Sequence, residues 1–515
     1  MGNLNPISAE EMAAIEANAE YLGVTLTQLM ECAGKAVADK VEEKAKKHGF
    51  RMEDGVTVYV GTGRNGGDGM VAARHLAAKG FKVFVVLVGV EEKIVDRNAR
   101  LNWETLKRLN SSISLTIASD STRIPEPKTP IVVDAMLGIG VRGKLRQPTL
   151  EAVKVLNKAK CLKVSVDVPT GLEASTGEVL GEAVKANLTI TFHKPKTGLL
   201  KAKNLTGEIY VASIGIPKEA ETYTGPGDVR KVWKPREKET HKGDFGRLLI
   251  VGGSKTYTGA PALAALAALR VGVDLVWVAA PTQTAYTISS YSPEIITIKL
   301  EGEFLNPKNI ETLKPYIERA SSILIGPGLG TEKETFDAVW FLMEKAEKLK
   351  IPMVLDADGF KAYTEKKRKL ETEAVLTPHQ GEFKMLIGEN LPEKLEAKAE
   401  KVKETAKKLE CVLLVKGNVD LISDGEKVKF NWTGNPGMTV GGTGDVLSGV
   451  VSGFLAQKNS AMDSACAAAF LNGAAGDLAY KKKGYSLTAT DLIEELPNLL
   501  ENPMKHKELL LDTKF

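Results

Sequence analysis

Short apolar runs rich in β-branched residues alternate along the chain with longer segments rich in alanine, lysine and glutamate. The runs lack the strict alternation of a strand with one wet face, so they predict strands buried on both faces of a parallel sheet. The segments between them predict helices, and such units build doubly wound α/β layers. In the first half of the chain the predicted strands cover residues 56–60, 82–88, 130–135, 162–168 and 188–192.

This alternation stops after residue 217 and restarts near residue 247. Residues 218–240 are charged and contain Pro226, Pro235 and a Gly-Pro-Gly sequence, which is typical of a linker. The sequence therefore predicts two α/β domains, over residues 1–217 and 241–515. The restarted pattern is carried by residues 247–254, 321–330, 352–359, 374–382 and 411–420.

Charge and composition narrow the choice of partners. The 515 residues include 69 Lys+Arg and 65 Asp+Glu, and this balance argues against nucleic acid or an anionic membrane as the partner. The most apolar stretch, 262–280, contains Arg270 and Asp274 and predicts a core helix followed by a strand rather than a membrane span. Four scattered cysteines and a polar N-terminus without a signal peptide fit a reduced cytoplasmic setting.

A glycine-rich loop, GTGRNGGDG at residues 61–69, follows the first predicted strand. Its glycines satisfy the G-x-G-x-x-G fingerprint of dinucleotide-binding domains. A dehydrogenase also needs an acidic residue at the end of the next strand, and Glu91 and Glu92 lie somewhat far along. The fingerprint leaves Asn65 and Asp68 unexplained. We interpret them as polar groups on an exposed turn that bind a phosphate, a cation or each other.

Further polar residues follow other predicted strands of the first domain. Asp134 and Asp167 end two strands, Thr170 lies close behind, and HKPKTG at residues 193–198 offers two lysines. Because carboxyl ends of parallel strands share one sheet edge, these groups are expected to converge there. Oxygens of Asn65, Asp134 and Thr170 would suit a hard cation. Turn and cap chemistry explains any one of them, but explains all of them together poorly.

The richest stretch of the second domain is GNPGMTVGGTGDVLSGVVSGFLA, residues 434–456. Its glycines lead into an apolar helix beginning near Asp445, and free N–H groups at a helix start bind anions such as phosphate. Gly441, Gly442 and Gly444 let the backbone approach the anion closely. A carboxylate there suits a base that takes a proton from a hydroxyl attacking a phosphoryl group. The alternative is a glycine-rich turn with Asp445 as helix N-cap.

Three other strand ends of this domain carry candidate groups. Residues 416–420 (KGNVD) either lie at the ligand-binding edge or form a simple hairpin. His379 is a candidate by position, although a lone histidine is more often structural. Asp356 and Asp358 either orient a phosphate or cation or cap the next helix.

The motifs GPGLG, VLDADG, LTPHxGE, VKG and NPGMTVGGTGDVLSG resemble the ribokinase-like ADP/ATP-dependent NAD(P)H-hydrate dehydratases over residues 242–515. The resemblance implies a ribokinase-like α/β/α fold and, as substrate, the hydrated nicotinamide ring of NADHX or NADPHX. Asp445 would deprotonate the ring hydroxyl, which takes phosphate from ADP, or from ATP in its place, with Mg²⁺. Phosphate then leaves and the ring double bond returns, giving NAD(P)H, AMP and phosphate when ADP is the donor.

The same resemblance implies site residues in the second domain. Asp420 stands where many relatives carry threonine. The residues implied to contact the hydrate are Ala260, Gly328, His379 and Asp445. Those implied to contact the nucleotide are Lys416, Gly417, Asn418, Val419, Asp420 and Gly444.

The motifs GTGRNGGDG, VVDAMLGIGVRG, SVDVPTGLEASTG and HKPKTG, in that order, resemble the NAD(P)H-hydrate epimerase domain over residues 1–217. The resemblance implies a Rossmann-like three-layer α/β/α fold, exchange of the R and S hydrate epimers with Asp167 as principal acid/base, and K⁺ bound by Asn65, Asp134 and Thr170. The family commonly has asparagine where Arg64 stands. Lys194 is our further candidate for proton transfer or phosphate binding. Residues implied to hold the hydrate are Arg64, Asn65, Gly66, Gly67, Asp68, Gly138, Ile139, Gly140, Val141, Arg142, Gly143, Lys144 and Asp167.

The whole chain is therefore predicted to be a bifunctional NAD(P)H-hydrate repair enzyme, a cytoplasmic homo-oligomer without nucleic-acid or membrane partners. The main alternative is a small-molecule kinase on the ribokinase-like scaffold, of hydroxyethylthiazole or pyridoxal type, with a non-catalytic nucleotide-binding first domain. A kinase releases a stable phosphorylated compound, whereas the dehydratase releases free phosphate and NAD(P)H. A Rossmann dehydrogenase is a third alternative, but no catalytic histidine or Tyr-x-x-x-Lys constellation stands out in the domain that carries the glycine-rich loop.

Overall fold

The computed structural model describes residues 5–512, and the chain divides into two compact units after Pro217. The first unit is built on one sheet of seven strands, all parallel, in the order β3-β2-β1-β4-β5-β6-β7. This confirms the predicted parallel α/β architecture. The strands are β1 (Val56–Val60), β2 (Val83–Val88), β3 (Ile113–Ala118), β4 (Ile131–Ala135), β5 (Leu162–Val166), β6 (Leu188–Phe192) and β7 (Glu208–Ala212).

The helices of the first unit follow from capping signals as well as from periodicity. The long helix α2 has a capping box between Thr25 and Gln28, and it ends at Gly49 in the left-handed conformation that glycine adopts without strain. The helices are α1 (Ala9–Tyr21), α2 (Leu26–His48), α3 (Arg64–Ala78), α4 (Arg97–Arg108), α5 (Thr149–Lys158), α6 (Thr197–Lys201) and α7 (Lys203–Thr206).

The strand order of the first sheet reverses between β1 and β4, which creates a crevice at the carboxyl edge. The loops that follow these two strands almost touch, because a Cβ placed on Gly61 would lie only 2.0 Å from the carbonyl oxygen of Met136. Only glycine fits at such a distance. Open α/β sheets bind their ligands at this kind of crevice.

The segment that precedes α1 is joined to the same edge of the sheet by backbone hydrogen bonds. Ile7 donates its N–H to the carbonyl oxygen of Pro195 at 3.0 Å and accepts from the N–H of Thr197 at 3.0 Å. Ala9 donates its N–H to the hydroxyl of Ser175 at 3.0 Å. The start of α1 is thereby fixed to the loops that follow β5 and β6.

The second unit has a nine-stranded sheet in the order β10-β9-β8-β11-β12-β13-β14-β15-β16. The strands from β8 to β14 are parallel, and β15 and β16 are added antiparallel at one edge. The order reverses between β8 and β11. The strands are β8 (Arg247–Val251), β9 (Leu275–Pro281), β10 (Ile296–Leu300), β11 (Ser322–Ile325), β12 (Met353–Leu355), β13 (Ala374–Leu376), β14 (Val412–Val415), β15 (Asp420–Ser423) and β16 (Val428–Asn431).

Helices cover this second sheet, and its strands are buried along nearly their whole length except for the edge strands β10 and β16. Periodic apolar residues of the helices and strands meet in one large core cluster. The helices are α8 (Glu219–Thr222), α9 (Pro226–Val232), α10 (Gly259–Arg270), α11 (Thr282–Tyr291), α12 (Asn309–Ile317), α13 (Lys333–Lys348), α14 (Ala357–Thr364), α15 (Gln380–Ile387), α16 (Leu395–Leu409), α17 (Thr443–Ala456), α18 (Ala461–Lys483), α19 (Ala489–Glu501) and α20 (Lys505–Asp512).

Residues 218–240 do not form a simple linker, because their first part folds as α8 and α9 and groups with the second unit. Pro226 contributed to the prediction of a linker, but it occupies the first turn of α9, where its missing N–H is not needed. Thr224 donates to the Oδ1 atom of Asn431 at 2.8 Å, and the carboxylate of Asp228 pairs with Lys429. The segment is therefore built into the second unit.

The most apolar stretch of the chain forms a core helix and a strand, α10 and β9, as predicted. Helix α10 packs closely against α17, because a Cβ on Gly449 would lie 2.2 Å from the carbonyl oxygen of Ala264. The small residues of the two helices thus set the spacing between them near their midpoints. Within residues 5–512, no helix combines the length and apolarity needed to cross a membrane.

Candidate active sites

A buried amide lies at the crevice of the first unit. The sequence placed Asn65 on an exposed turn, but it is buried in the first turn of α3, because the glycine-rich loop enters that helix at Arg64. Neither polar atom of the Asn65 amide has a hydrogen-bond partner among the described residues. Such burial costs roughly 1–3 kcal/mol, which points to a ligand-binding role. A Cβ on Gly138, beyond β4, would lie 3.1 Å from the Asn65 oxygen.

Asp134, buried in β4, ties neighbouring loops together. Its Oδ1 atom accepts from the Thr170 hydroxyl at 2.6 Å, and its Oδ2 atom accepts from the Ser165 hydroxyl and the Thr170 N–H, each at 2.9 Å. The N–H of Leu137 donates to the Thr170 hydroxyl at 3.0 Å. Burial raises the pKa of Asp134, while the hydrogen bonds from Thr170 oppose that rise. The crevice therefore gathers the oxygens that were proposed to bind a cation.

Asp167 follows β5 in a strained backbone conformation. Its φ is 62°, in the left-handed region, and the N–H of Val168 donates to the carbonyl oxygen of Val166 at 2.8 Å across it. His193 has the same positive φ, 63°, directly after β6. Non-glycine residues rarely adopt this conformation, and strain of this kind concentrates at functional sites. The turn fixes the direction in which the Asp167 carboxylate leaves the strand.

Lys196 is the lysine that the structure joins to Asp167. Its side chain is almost wholly buried, and its ammonium donates to Asp167 Oδ1 at 2.6 Å, to the Thr191 hydroxyl at 3.1 Å and to the Phe192 carbonyl oxygen at 3.1 Å. A buried ammonium is tolerated when its donors are satisfied in this way. HKPKTG contains two lysines, and the sequence analysis favours Lys194. The spacing of the motif does not indicate that Lys196 is the buried one.

Charged residues rim the same crevice. The guanidinium of Arg64 lies 3.4 Å from the carboxylate of Glu16 and 3.7 Å from that of Asp96. Burial raises the pKa of Asp68 well above its ordinary value, and the charges of Asp167 and Glu16 add to this effect. Glu16 was missed in the sequence because helix α1 carries no motif. Of the hydrate-binding loop predicted at 138–144, the residues exposed on the rim are Gly140, Arg142, Gly143 and Lys144.

In the second unit, Asp445 is the third residue of helix α17. The helix begins at Thr443, and its N-cap is Gly442, with a φ of 96° and no side-chain cap. The alternative that Asp445 is merely an N-cap is therefore wrong. Backbone N–H groups at this end have no capping side chain, so they suit an anion.

A network of charges surrounds Asp445. The ammonium of Lys416 donates to Asp356 Oδ1 at 3.0 Å, and the Thr377 hydroxyl donates to the same oxygen at 2.8 Å. A Cβ on Gly444 would lie 3.6 Å from the Lys416 ammonium, which places the start of α17 beside it. Burial raises the pKa of Asp445 to about 7, repulsion from Asp356 adds to this, and Lys416 opposes it. A carboxyl with that pKa is poised for proton transfer near neutral pH.

Lys416 itself remains charged. Burial lowers its pKa, but Asp356 outweighs burial, and the net effect is a raised pKa. Neither aspartate of VLDADG caps α14 with its side chain. Asp358 accepts from the N–H of Gly330 at 2.9 Å and from the Lys361 ammonium at 2.8 Å. Both aspartates therefore connect strand ends around the site.

His379 is the N-cap of α15. Its Nδ1 atom accepts from the N–H groups of Gly381 at 3.0 Å and Glu382 at 3.2 Å. In a neutral ring the proton then lies on Nε2, and the side chain is 61% exposed. The N–H of Lys416 donates to the carbonyl oxygen of Pro378 at 2.8 Å, so His379 and Lys416 lie at neighbouring strand ends. The histidine both caps the helix and presents a donor at the sheet edge.

Residues 416–420 form the turn of an antiparallel hairpin at that edge, which confirms the hairpin interpretation of KGNVD, while ligand binding by this turn stays a prediction. Asp420 Oδ1 accepts from the N–H of Gly417 at 3.0 Å, and Oδ2 accepts from the Asn431 amide at 3.0 Å. Burial raises the pKa of Asp420, and these two hydrogen bonds oppose that rise. Its carboxylate braces the turn from within, whereas Gly417 and Asn418 are exposed.

Ala260 and Gly328 meet across the crevice between β8 and β11. A Cβ on Gly328 would lie 3.5 Å from Cβ of Ala260 and 2.8 Å from Cβ of Tyr257. Gly328 has a φ of 68°, which also favours glycine. The ring of Tyr257 is 55% exposed at this crevice and was missed in the sequence. The signal that could have identified Tyr257 is its position between a predicted strand and a helix that begins with glycine.

Comparison with known proteins decides the family. The NAD(P)H-hydrate dehydratase family matches residues 248–498, and the family described as YjeF-related protein N-terminus matches residues 26–198. The chain is 44% identical to the bifunctional NAD(P)H-hydrate repair enzyme of Hyperthermus butylicus over 97% of this chain and 93% of that protein. It belongs to this family of bifunctional repair enzymes. A relative of the same name from Pyrobaculum aerophilum is also 44% identical, over 96% of this chain and 98% of its own.

Among solved structures, the ADP/ATP-dependent NAD(P)H-hydrate dehydratase of Bacillus subtilis, co-crystallised with ATP/Mg²⁺, is 27% identical. It covers 55% of this chain and 99% of its own, with a TM-score of 0.47. The prediction of a bifunctional NAD(P)H-hydrate repair enzyme is confirmed by the full-length relatives.

Proposed function

We propose that the second unit dehydrates the S hydrate of NADH and NADPH at the expense of ADP, with Asp445 as base. The observation that carries this proposal is a carboxyl of raised pKa at an uncapped helix start beside a lysine. Asp445 takes the proton of the ring hydroxyl, whose oxygen attacks the β-phosphorus of ADP and displaces AMP. The carbon–oxygen bond then breaks and phosphate leaves. Loss of a proton from the adjacent ring carbon restores the double bond.

The residues around Asp445 divide the remaining tasks. N–H groups at the start of α17, together with Lys416, balance the charge of the transferred phosphoryl group. Ala260, Gly328 and His379 line the hydrate side. The turn 416–420 and Gly444 face the nucleotide, with Asp420 bracing the turn. Mg²⁺ would accompany the phosphates and neutralise the charge that develops on them.

We propose that the first unit exchanges the R and S hydrates with Asp167 as acid/base. Asp167 is directed by its turn and paired with Lys196. The glycine-rich start of α3, residues 64–68, and the loop 138–144 form the two walls of the crevice in which the hydrate binds. The two activities belong together, since the epimerase supplies the dehydratase with the epimer that it uses.

The same crevice fits K⁺. Asn65 brings a buried amide oxygen without a protein partner, and Asp134 and Thr170 bring carboxylate and hydroxyl oxygens. Oxygen ligands of this kind suit a hard cation. Bound K⁺ would supply positive charge beside the hydrate and satisfy the Asn65 oxygen. We expect epimerisation in K⁺ to exceed that in Na⁺ or an organic cation, and Asp134→Asn to remove the difference.

We also propose that the protein is a cytoplasmic homo-oligomer without nucleic-acid or membrane partners. All four cysteines are free, which suits a reducing cytoplasm, and the balanced charge argues against nucleic acid and anionic membranes. Light scattering of the purified protein tests the oligomeric state. A monomer at all concentrations would contradict it.

One assay tests both activities. The purified chain is given mixed R and S NADHX with K⁺, Mg²⁺ and ADP, then ATP, and the near-ultraviolet absorbance of NADH is followed. Complete recovery of NADH supports both activities. Recovery that stops when the S epimer is exhausted contradicts the epimerase. No recovery with either nucleotide favours the small-molecule kinase.

A further inference from the structure

Glu16 reaches the epimerase crevice from outside the segment that matches the YjeF-related N-terminal family. It stands on α1, ahead of residues 26–198. The Nη1 atom of Arg64 donates to its carboxylate at 3.4 Å. The carboxyl is also close enough to Asp167 and Lys196 to respond to both charges. A second carboxyl thus shares the crevice with the proposed acid/base residue.

The position of Glu16 is determined by more than its own side chain. Ser8 caps α1 by accepting from the N–H of Glu11 at 3.0 Å. Ile7 is hydrogen bonded through its backbone to the 195–197 loop, which also carries Lys196. Met12, Ile15 and Ala19 of α1 are buried. Helix and loop therefore form one frame that holds Glu16 and Lys196 at the same edge.

The reaction needs two acid–base groups. The carbon that bears the hydroxyl is also bonded to the ring nitrogen. When the carbon–oxygen bond breaks, its electron pair leaves with the oxygen, which must gain a proton to depart as water. The lone pair of the nitrogen forms a C=N bond. Water then adds to the other face, loses a proton to a base, and returns the electron pair to nitrogen.

We propose that Glu16 is the second acid–base residue of the epimerase site and gives the departing hydroxyl its proton, while Asp167 takes the proton of the incoming water. The roles exchange in the opposite direction, and proton exchange with solvent restores the starting pair. This inference rests on the proposed epimerase function. It adds a catalytic residue that none of the sequence motifs contains.

The two carboxyls have unlike surroundings, as an acid and a base require. Asp167 is ion-paired with the buried ammonium of Lys196. Burial raises the pKa of Glu16, Arg64 opposes this, and the charge of Asp167 adds to it. Asp68, another carboxyl whose pKa burial raises, lies close enough to Glu16 to respond to its charge. Proton donation therefore suits Glu16, and proton acceptance suits Asp167.

The test compares Glu16→Gln with Glu10→Gln, an exposed position on the same helix, in the full chain. Exchange of R and S NADHX is followed by chromatography with K⁺ and without nucleotide. We expect Glu16→Gln to slow exchange by about 100-fold or more and Glu10→Gln to leave it unchanged. Glu16→Asp should retain part of the rate. Thermal unfolding checks that α1 remains folded.

Two further measurements separate catalysis from support of Arg64. Arg64→Ala should slow exchange less than Glu16→Gln, and an equal loss would make Glu16 a positioning residue and overturn the inference. In water enriched in heavy oxygen, each epimerisation by wild type should place the label in the ring hydroxyl. Epimerisation without label would show that the carbon–oxygen bond stays intact, which also overturns the inference.

The outcomes keep the two proposals apart. A wild-type chain that does not exchange the epimers would overturn the proposed epimerase and this inference with it. A wild-type chain that exchanges them while Glu16→Gln does so at a similar rate would overturn this inference alone.

Discussion

The ammonium of Lys196 lies 2.6 Å from Oδ1 of Asp167, inside a crevice where its other two hydrogen bonds go to β6. The pair joins a strained turn to the HKPKTG loop. Its position makes the orientation of Asp167 dependent on a lysine that solvent does not reach.

The first prediction concerns that ion pair. Lys196→Met should lower epimerisation by about 100-fold, because Asp167 loses the partner that orients it. It should also destabilise the first unit by about 3–5 kcal/mol, since a buried carboxylate is left unpaired. Chromatography of the epimers and thermal unfolding measure the two effects.

The control for that variant is Lys201→Met at an exposed position, which should change neither quantity. The double variant Lys196→Met/Asp167→Asn, which removes the unpaired charge and keeps a residue type that tolerates the positive φ at position 167, should recover part of the stability without activity. Normal epimerisation by Lys196→Met would show that Asp167 needs no such partner.

The second prediction concerns Asp445. Asp445→Asn should lower dehydration by about 1,000-fold or more, since the base is lost, while ADP binding by calorimetry changes little. Asp337→Asn, an exposed aspartate on α13, is the matched control. Loss of ADP binding together with activity would count against Asp445 as base.

The pKa of Asp445 also predicts whether Asp445→Asn is more or less stable than wild type. Burial raises the pKa of Asp445 to about 7, so ionising this carboxyl opposes folding at any pH above its ordinary range. Asp445→Asn should therefore unfold at a higher temperature than wild type above neutral pH, by the equivalent of up to about 4 kcal/mol, since each unit of raised pKa is worth about 1.4 kcal/mol. In acid, where both states of wild type are protonated, the difference should vanish.

The third prediction is a pH profile. Asp445 acts as base only when ionised, so kcat/KM for dehydration, which reports the free enzyme, should rise with pH and reach half its maximum near 7. Lys416→Gln removes a charge that holds this pKa down, so the midpoint should move to higher pH by about one unit. A midpoint unchanged by Lys416→Gln would contradict the coupling between the two residues.

The fourth prediction concerns the nucleotide turn. Asp420 accepts hydrogen bonds from Gly417 and Asn431, and no direct role with ADP is needed to explain it. Asp420→Ala should raise KM for ADP by about 10-fold while kcat changes little, because the turn loses its brace. Asp424→Asn, on the next turn of the hairpin, should leave KM unchanged. An equal fall in kcat would indicate a role in the reaction itself.

The apolar runs and the residues that directly follow them made much of this architecture predictable. Buried apolar runs identified the parallel strands, and glycine patterns identified the loops at both crevices, because loop and strand residues are adjacent in sequence. Asn65 was misplaced because an exposed turn and a helix start share the same glycines. Lys196 was not selected because the sequence does not distinguish two lysines that are separated by a single residue. Only the fold shows which of them is buried.

Other features depend on contacts between distant residues. Glu16 belongs to helix α1, which carries no motif. Only the packing of this helix brings Glu16 to the crevice. Asp356 and Lys416 are separated by two strands along the chain and meet through sheet order alone. The helix of Pro226 was hidden because proline signals a helix start as readily as a break.

The backbone bonds of Ile7 matter to anyone who separates the two activities by cutting the gene. The match to the YjeF-related N-terminal family begins at residue 26, so a fragment that starts there would seem to contain the whole epimerase domain. It would lack the strand-like partner of the 195–197 loop and leave the N–H of Thr197 unsatisfied beside the reaction site. If such a fragment were inactive, the cause would be the loss of this segment and not the lack of an epimerase activity. A fragment of the first unit should therefore begin before Ile7.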